Sequence, residues 1–137
     1  MQVARNAQNQ IVVRLADGED VKSQLESLGI KAGTFVSGIG MLRETTLAYW
    51  NGEEYVQHQV DAPAELLALQ GNFSLKEGEP FVHCHVTLGH EDGTVEGGHL
   101  MDATVNITNE IVIQELPGIR MNRKPEVGLW GLYPESD

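Results

Sequence analysis

One cysteine, nine cationic side chains and no apolar run long enough to cross a bilayer set the first limits on this 137-residue chain. The lone cysteine, Cys84, excludes an internal disulfide framework and fits a reducing compartment. A membrane-spanning helix needs about 18 or more consecutive apolar residues, and no such stretch occurs. The opening Met1-Gln2-Val3-Ala4-Arg5-Asn6 lacks the apolar core of a secretory signal, so the cytoplasm is the expected location. Cations are scarce: nine Lys and Arg face twenty Asp and Glu, a formal net charge of −11. Nucleic-acid binding draws most of its affinity from Lys and Arg neutralising phosphates, and only Arg120, Arg123 and Lys124 come near to clustering. The overall field repels a polyanion and weighs against free DNA as a partner. A nucleotide-binding loop is missing too, since Gly38-Ile39-Gly40 has neither a third glycine nor a following helix. No Ser/His/Asp set is readable by spacing.

What is present suits one globular domain. Hydrophobic residues make up 41% of the chain and charged ones 21%, which separates it from disordered acidic tails. A chain of this length buries about two-thirds of its unfolded surface and needs no disulfides to fold. Without a linker, repeat or low-complexity stretch, residues 11–133 read as the domain, 1–10 as an N-terminal extension and 134–137 as a C-terminal tail.

Alternation in Ile11-Val12-Val13-Arg14-Leu15 predicts a first strand, closed by Asp17-Gly18. Val21, Leu25 and Leu28 recur at helical spacing and predict a helix from about Asp20 to Leu28, with Gly29 just past its end. Further strands are expected over 34–42, 45–50 and 55–60, the last two joined through Asn51-Gly52, a strong hairpin dipeptide. Residues 64–75 read mainly as strand, with a short second helix as the alternative. Strands over 81–90, 94–101, 104–116 and 127–133 complete an α+β fold with a mostly antiparallel sheet.

The chemistry concentrates in one hairpin. On a strand, His83 and His85 project from the same face, and Cys84 between them points to the other. Three-residue hairpin loops favour a left-handed glycine at their last position, a demand met by Glu91-Asp92-Gly93, which pairs His90 with Thr94. Counting along both strands from that pair sets His85 opposite His99, so His83, His85 and His99 converge on one patch. A bulge at Gly97-Gly98 would shift the register and remove His99 from that face. Three neutral imidazoles suit zinc; iron, nickel and copper take the same ligands. Three protein ligands leave a coordination position open, the pattern of a catalytic or ligand-binding ion. Hydrolysis at such an ion would need a general base. Glu44, Glu96 and Asp102 are nearest in sequence; Glu96 lies an odd number of residues from His99 and faces away, and Glu44 is the catalytic candidate, with a solvated strand-end carboxylate as its simpler reading. His58 and His90 read as exposed polar histidines, and Cys84 as a small core residue.

These segments resemble the plants-and-prokaryotes-conserved domain, the PPC or PCC domain, in its stand-alone prokaryotic form. The likeness rests on Ser37-Gly38-Ile39-Gly40, on Leu69-Gln70-Gly71-Asn72-Phe73-Ser74-Leu75, and on His83-Cys84-His85-Val86 followed by Asp92-Gly93 and Gly97-Gly98-His99-Leu100. It runs from about Ile11 to Tyr133. The resemblance implies a largely antiparallel sheet assembled as a homotrimer, and a metal, usually zinc, on the histidines carried here by His83, His85 and His99. In plants the domain accompanies AT-hook DNA-binding motifs and makes protein contacts. This chain has no AT-hook core, and Asn72 stands where the plant Gly-Arg-Phe pattern has a basic residue. The leading expectation is a trimeric metal-binding protein with an open position for a small-molecule ligand. The alternative is an interaction scaffold that recruits a protein partner, its metal structural or vestigial, with a DNA-binding regulator behind both.

Overall fold

Strict alternation builds the centre of the fold: Ile11, Val13 and Leu15 are buried while Val12 and Arg14 face out. The computed structural model describes residues 1–137 as nine strands and one helix: β1 (Gln2–Arg5), β2 (Gln10–Ala16), α1 (Val21–Glu26), β3 (Gly33–Trp50), β4 (Tyr55–Val60), β5 (Ala64–Lys76), β6 (Glu79–Gly89), β7 (Val95–Glu115), β8 (Ile119–Pro125) and β9 (Trp130–Ser136). All strands join one sheet, antiparallel except where β5 meets β8 in a short parallel pairing. β3 pairs with β5 and β7, and β6 also pairs with both, so these four strands close a circuit. A contiguous core of 23 buried residues fills the fold, with α1 packed on β6 and β7 through Val21 and Leu25. Each such side chain contributes about 1.5–3 kcal/mol on burial. The helix starts where Asp20 accepts a hydrogen bond from the Ser23 amide at 2.9 Å. It is not long and apolar enough to cross a membrane.

The α+β reading holds, with several corrections of detail. The expected strands over 34–42 and 45–50 are one element, β3, and those over 94–101 and 104–116 are likewise one, β7. β3 runs on through bulges: the β3–β7 register shifts between Phe35 and Ser37, Gly40 and Leu42, Arg43 and Thr46, and Thr46 and Leu47. The helix is shorter than its periodicity suggested, and residues 64–75 form strand throughout, with no second helix. β8 escaped the pattern because Arg and Lys dominate it, although Met121 and Arg123 are its buried members. Residues 1–10, set apart as an extension, carry β1 on the edge of β2, exposed at every position and so without hydrophobic alternation. The tail residues 134–136 belong to β9, which runs from Trp130 instead of ending at Tyr133.

Gly71 shows how closely the circuit is packed. It sits in β5 opposite Cys84 with φ of +148°, a backbone conformation that L side chains rarely adopt. A Cβ there would press on the His83 carbonyl and lie 2.7 Å from the Cys84 Cα. The Gly71→Ala variant is therefore expected to lose about 1–3 kcal/mol of stability. A lower urea midpoint with an unchanged m-value is the readout; a wild-type midpoint would contradict this account of the β5–β6 contact.

Candidate metal centre

The β6–β7 hairpin has the expected register. The His90 amide donates to the Thr94 carbonyl at 2.9 Å, and the Gly93 amide to the His90 carbonyl at 2.9 Å, with Gly93 left-handed at φ of +84°. His85 pairs with His99, Val86 with Gly98 and Thr87 with Gly97, without a shift at the two glycines. Those glycines serve close approach instead: a Cβ on Gly97 would lie 2.6 Å from the Val86 carbonyl oxygen, and one on Gly98 3.1 Å from that of Ala48.

This register brings the three imidazoles together. Ring centroids are 5.1 Å apart for His83 and His85, 5.0 Å for His83 and His99, and 5.6 Å for His85 and His99. One ligating nitrogen from each lies within 4.8 Å of the others. His85 is exposed, whereas His83 and His99 are half-buried. Tyr55 of β4 stacks at 4.9 Å on His99.

Electrostatics keep two of the rings ready to ligate. Burial holds His83 well below the ordinary histidine range, at about 4, aided by the Arg123 guanidinium and by His85. His99 is likewise held at about 4, first by burial and then by its neighbour His83. Both are neutral at pH 7, as a ligand must be. The His99 Nδ1 is buried and has no hydrogen-bond partner. A buried polar atom without a partner carries a desolvation cost, and a divalent cation among the rings is a partner that removes it. By this test the residues fit a metal.

The other expected residues lie elsewhere. Cys84 faces the core, and burial pushes its thiol up to about 12, which makes it inert. Glu44 is not at the patch: it occupies a bulge of β3 with φ of +51° and accepts a hydrogen bond from the Thr104 hydroxyl at 3.1 Å. β3 pairs Arg43 with Thr104 but Ala48 with His99, so the strand itself separates Glu44 from the imidazoles. Glu96 faces away as expected. His58 and His90 are not isolated, because both contact the Glu96 carboxylate.

Arg123 was not singled out by sequence as a site residue. It is 8% exposed and reaches the patch from β8, donating to Ser74 Oγ at 3.1 Å and to Asn72 Oδ1 at 2.7 Å. Its Nη2 lies 3.5 Å from His83 Nδ1. Asn72 of β5 thus anchors a guanidinium supplied by β8. The basic trio suggested by sequence is dispersed: Arg120 pairs with Glu135 and Asp137, and Lys124 lies over the Tyr133 ring. A cavity of about 240 Å³ opens next to His83 and His99, walled by Tyr55, Phe81, Trp130 and Arg123.

A family model for the Plants and Prokaryotes Conserved (PCC) domain matches residues 2–117. The chain is 33% identical over 119 residues to the bifunctional protein GlmU of a Synechococcus species, covering 83% of this chain but 18% of that protein. It is 36% identical to a plant- and prokaryote-conserved (PPC) protein from Pyrococcus horikoshii, covering 95% of this chain and 93% of that one, with a TM-score of 0.81. A metal-containing protein from Archaeoglobus fulgidus is 33% identical over 97% of this chain and 99% of its own, with a TM-score of 0.83.

The depressed histidines give the metal-free protein a pH dependence with a definite sign. Between about 6.5 and 4 the unfolded chain binds protons at these positions and the folded chain does not. Stability therefore falls as pH drops through that window. Chelator-treated protein should lose melting temperature from pH 6.5 to 4, and a His83→Asn/His99→Asn variant should show a shallower slope. Equal slopes would show that the buried rings do not carry the effect.

Proposed function

Since the chain belongs to the Plants and Prokaryotes Conserved (PCC) domain family, we propose that it is a metal-binding protein of that family. His83, His85 and His99 hold one divalent transition-metal ion, zinc in the first instance. The observation that carries the reading is the convergence of three imidazoles, one of which, His99, also has a buried Nδ1 without a partner. Its relative from Archaeoglobus fulgidus, described as metal-containing, supports it. Three protein ligands leave a coordination position for a small molecule, as in ligand-binding and catalytic sites and unlike closed structural ones. When bound, the ion would supply a Lewis acid for an oxygen or nitrogen donor of that molecule. The residues around it bind and orient rather than deprotonate: Arg123 keeps a positive charge against His83, and Tyr55 supports the His99 ring. No Asp or Glu lines the cavity, so Glu44 is set aside as a general base.

Self-association belongs to the same proposal. Val36 (62% exposed), Ile39 (50%) and Leu67 (45%) line one shallow groove between β3 and β5. Contiguous exposed apolar side chains of this kind mark an interaction surface. A second and third copy of the chain are the occupants proposed, in keeping with the homotrimer that the family resemblance implies.

Elemental analysis of untagged protein purified without chelator should find close to one ion per chain. The His99→Ala variant should weaken metal affinity by more than the roughly 10–100-fold that losing an outer-shell partner costs. Wild-type protein that carries no metal and takes up none from micromolar zinc overturns the reading and leaves the scaffold alternative. For the assembly, sedimentation should give the mass of three chains, and Ile39→Glu with Leu67→Glu should give that of one. A monomeric wild type overturns that part.

A further inference from the structure

We propose that the cavity beside the imidazoles is a binding site for a small organic anion, with an aromatic or apolar body and a carboxylate or phosphate head set among Lys22, Lys76 and Arg123. This deepens the metal reading by naming the class of ligand, and rests on it only for the ligand's other end.

This cation-poor chain gathers a third of its nine cations at one place. Of nine Lys and Arg, Arg5, Arg43 and Arg120 sit in ion pairs. Three of the others, from α1, β5 and β8, converge on the one cavity, whose lining holds no carboxylate. They are positioned by aromatic faces in place of counter-charges. The Lys76 ammonium lies 4.7 Å from the Trp130 ring and 5.2 Å from that of Phe81. Lys22 lies 5.5 Å and the Arg123 guanidinium 5.7 Å from the same Phe81 ring. A π face holds a cation without neutralising it. Neither lysine ammonium donates a hydrogen bond to the protein or pairs with an acid, so both remain available.

Arg123 makes the strongest demand. Its guanidinium is buried, yet its partners are all neutral: the Ser74 hydroxyl, the Asn72 amide oxygen, the Trp130 carbonyl at 3.4 Å and the His83 ring. A buried charge without a counter-ion is costly, and a bound anion would offset that cost. A divalent ion on the nearby imidazoles would add to the same positive field. The rest of the wall is apolar, with Tyr55, Met101 and Leu129 beside the two aromatics already named. At about 240 Å³ the cavity is smaller than the roughly 300–1,000 Å³ of drug-sized sites, which suits a small metabolite rather than a nucleotide.

Titration calorimetry on the full chain tests this with benzoate and phenyl phosphate as probes, benzamide as the neutral isostere of the first, and inorganic phosphate as the head alone. At least one aromatic anion should bind about tenfold or more tighter than both controls, and which of the two does so separates carboxylate from phosphate recognition. A Lys22→Gln/Lys76→Gln variant, which removes no protein hydrogen bond, should weaken that binding about tenfold with an unchanged melting temperature. Benzamide binding as tightly as the anions, or wild-type affinity in the variant, overturns the proposal. Should the variant fail to fold, the comparison of charged and neutral probes on the wild type decides alone. Repeating the titration after chelator treatment separates the two readings. Anion binding that persists there upholds the cationic site even if no metal is ever found, and binding abolished there overturns it.

Discussion

The pairing of β6 onto β7 is the contact on which the rest depends. It closes the circuit of β3, β5, β6 and β7, and the same five paired positions set His85 against His99. A slip of one residue would exchange the faces of β6. Cys84, Val86 and Leu88, all buried, would turn outward, and His83 and His85 would turn into a core that has no partners for them. Core and candidate site are therefore specified by one register, and the apolar alternation that stabilises the fold also keeps the imidazoles together. Gly71 and Gly97 add to this by letting β5, β6 and β7 approach more closely than side chains would allow.

The hairpin was legible in the sequence because everything that determines it is local. A period of two, a three-residue loop ending in Gly93 and a count of five along each strand suffice to pair His85 with His99. The long strands were less legible, because a bulge and a turn use the same residues. Gly38 and Gly40 lie inside the strand expected over 34–42, whereas the pause around Glu44 reads as a break between two strands although the chain continues in the same direction on its far side. Glu44 stands at that pause, an exposed carboxylate close to its simpler reading: its left-handed backbone answers a bulge in β3, and its carboxylate answers Thr104. The cavity was not legible at all. Lys22, Lys76 and Arg123 are far apart in the chain and on three elements, and only the path of β8 beside the end of β5 brings the last two together. Local patterning holds no trace of a meeting between such distant residues.

The two sides of the hairpin differ in chemistry as well as direction. On one, His58 and His90 share the Glu96 carboxylate, so their demand for a partner is met within the protein. On the other, no carboxylate approaches, the nearest charge is the Arg123 cation, and a ring nitrogen is left without a partner. Histidines beside an acid are held in place by it; His83 and His99, kept neutral chiefly by burial, call for something from outside. That contrast, more than the count of imidazoles, separates the site from the other histidines of the chain.

Charge then decides what kind of anion can use it. The chain carries −11 overall, so a polyanion lying across its surface meets repulsion over most of its length. At physiological ionic strength, however, charges farther apart than about 8 Å are largely screened from one another. A small anion inside the cavity lies against the cations that line it, and no carboxylate shares that lining. Lys22, Lys76 and Arg123 act on such a ligand in surroundings partly stripped of water, where screening is weakest. On the proposed reading, repulsion of a polyanion and binding of a small carboxylate or phosphate are compatible, because the first interaction samples the whole surface and the second samples one cavity.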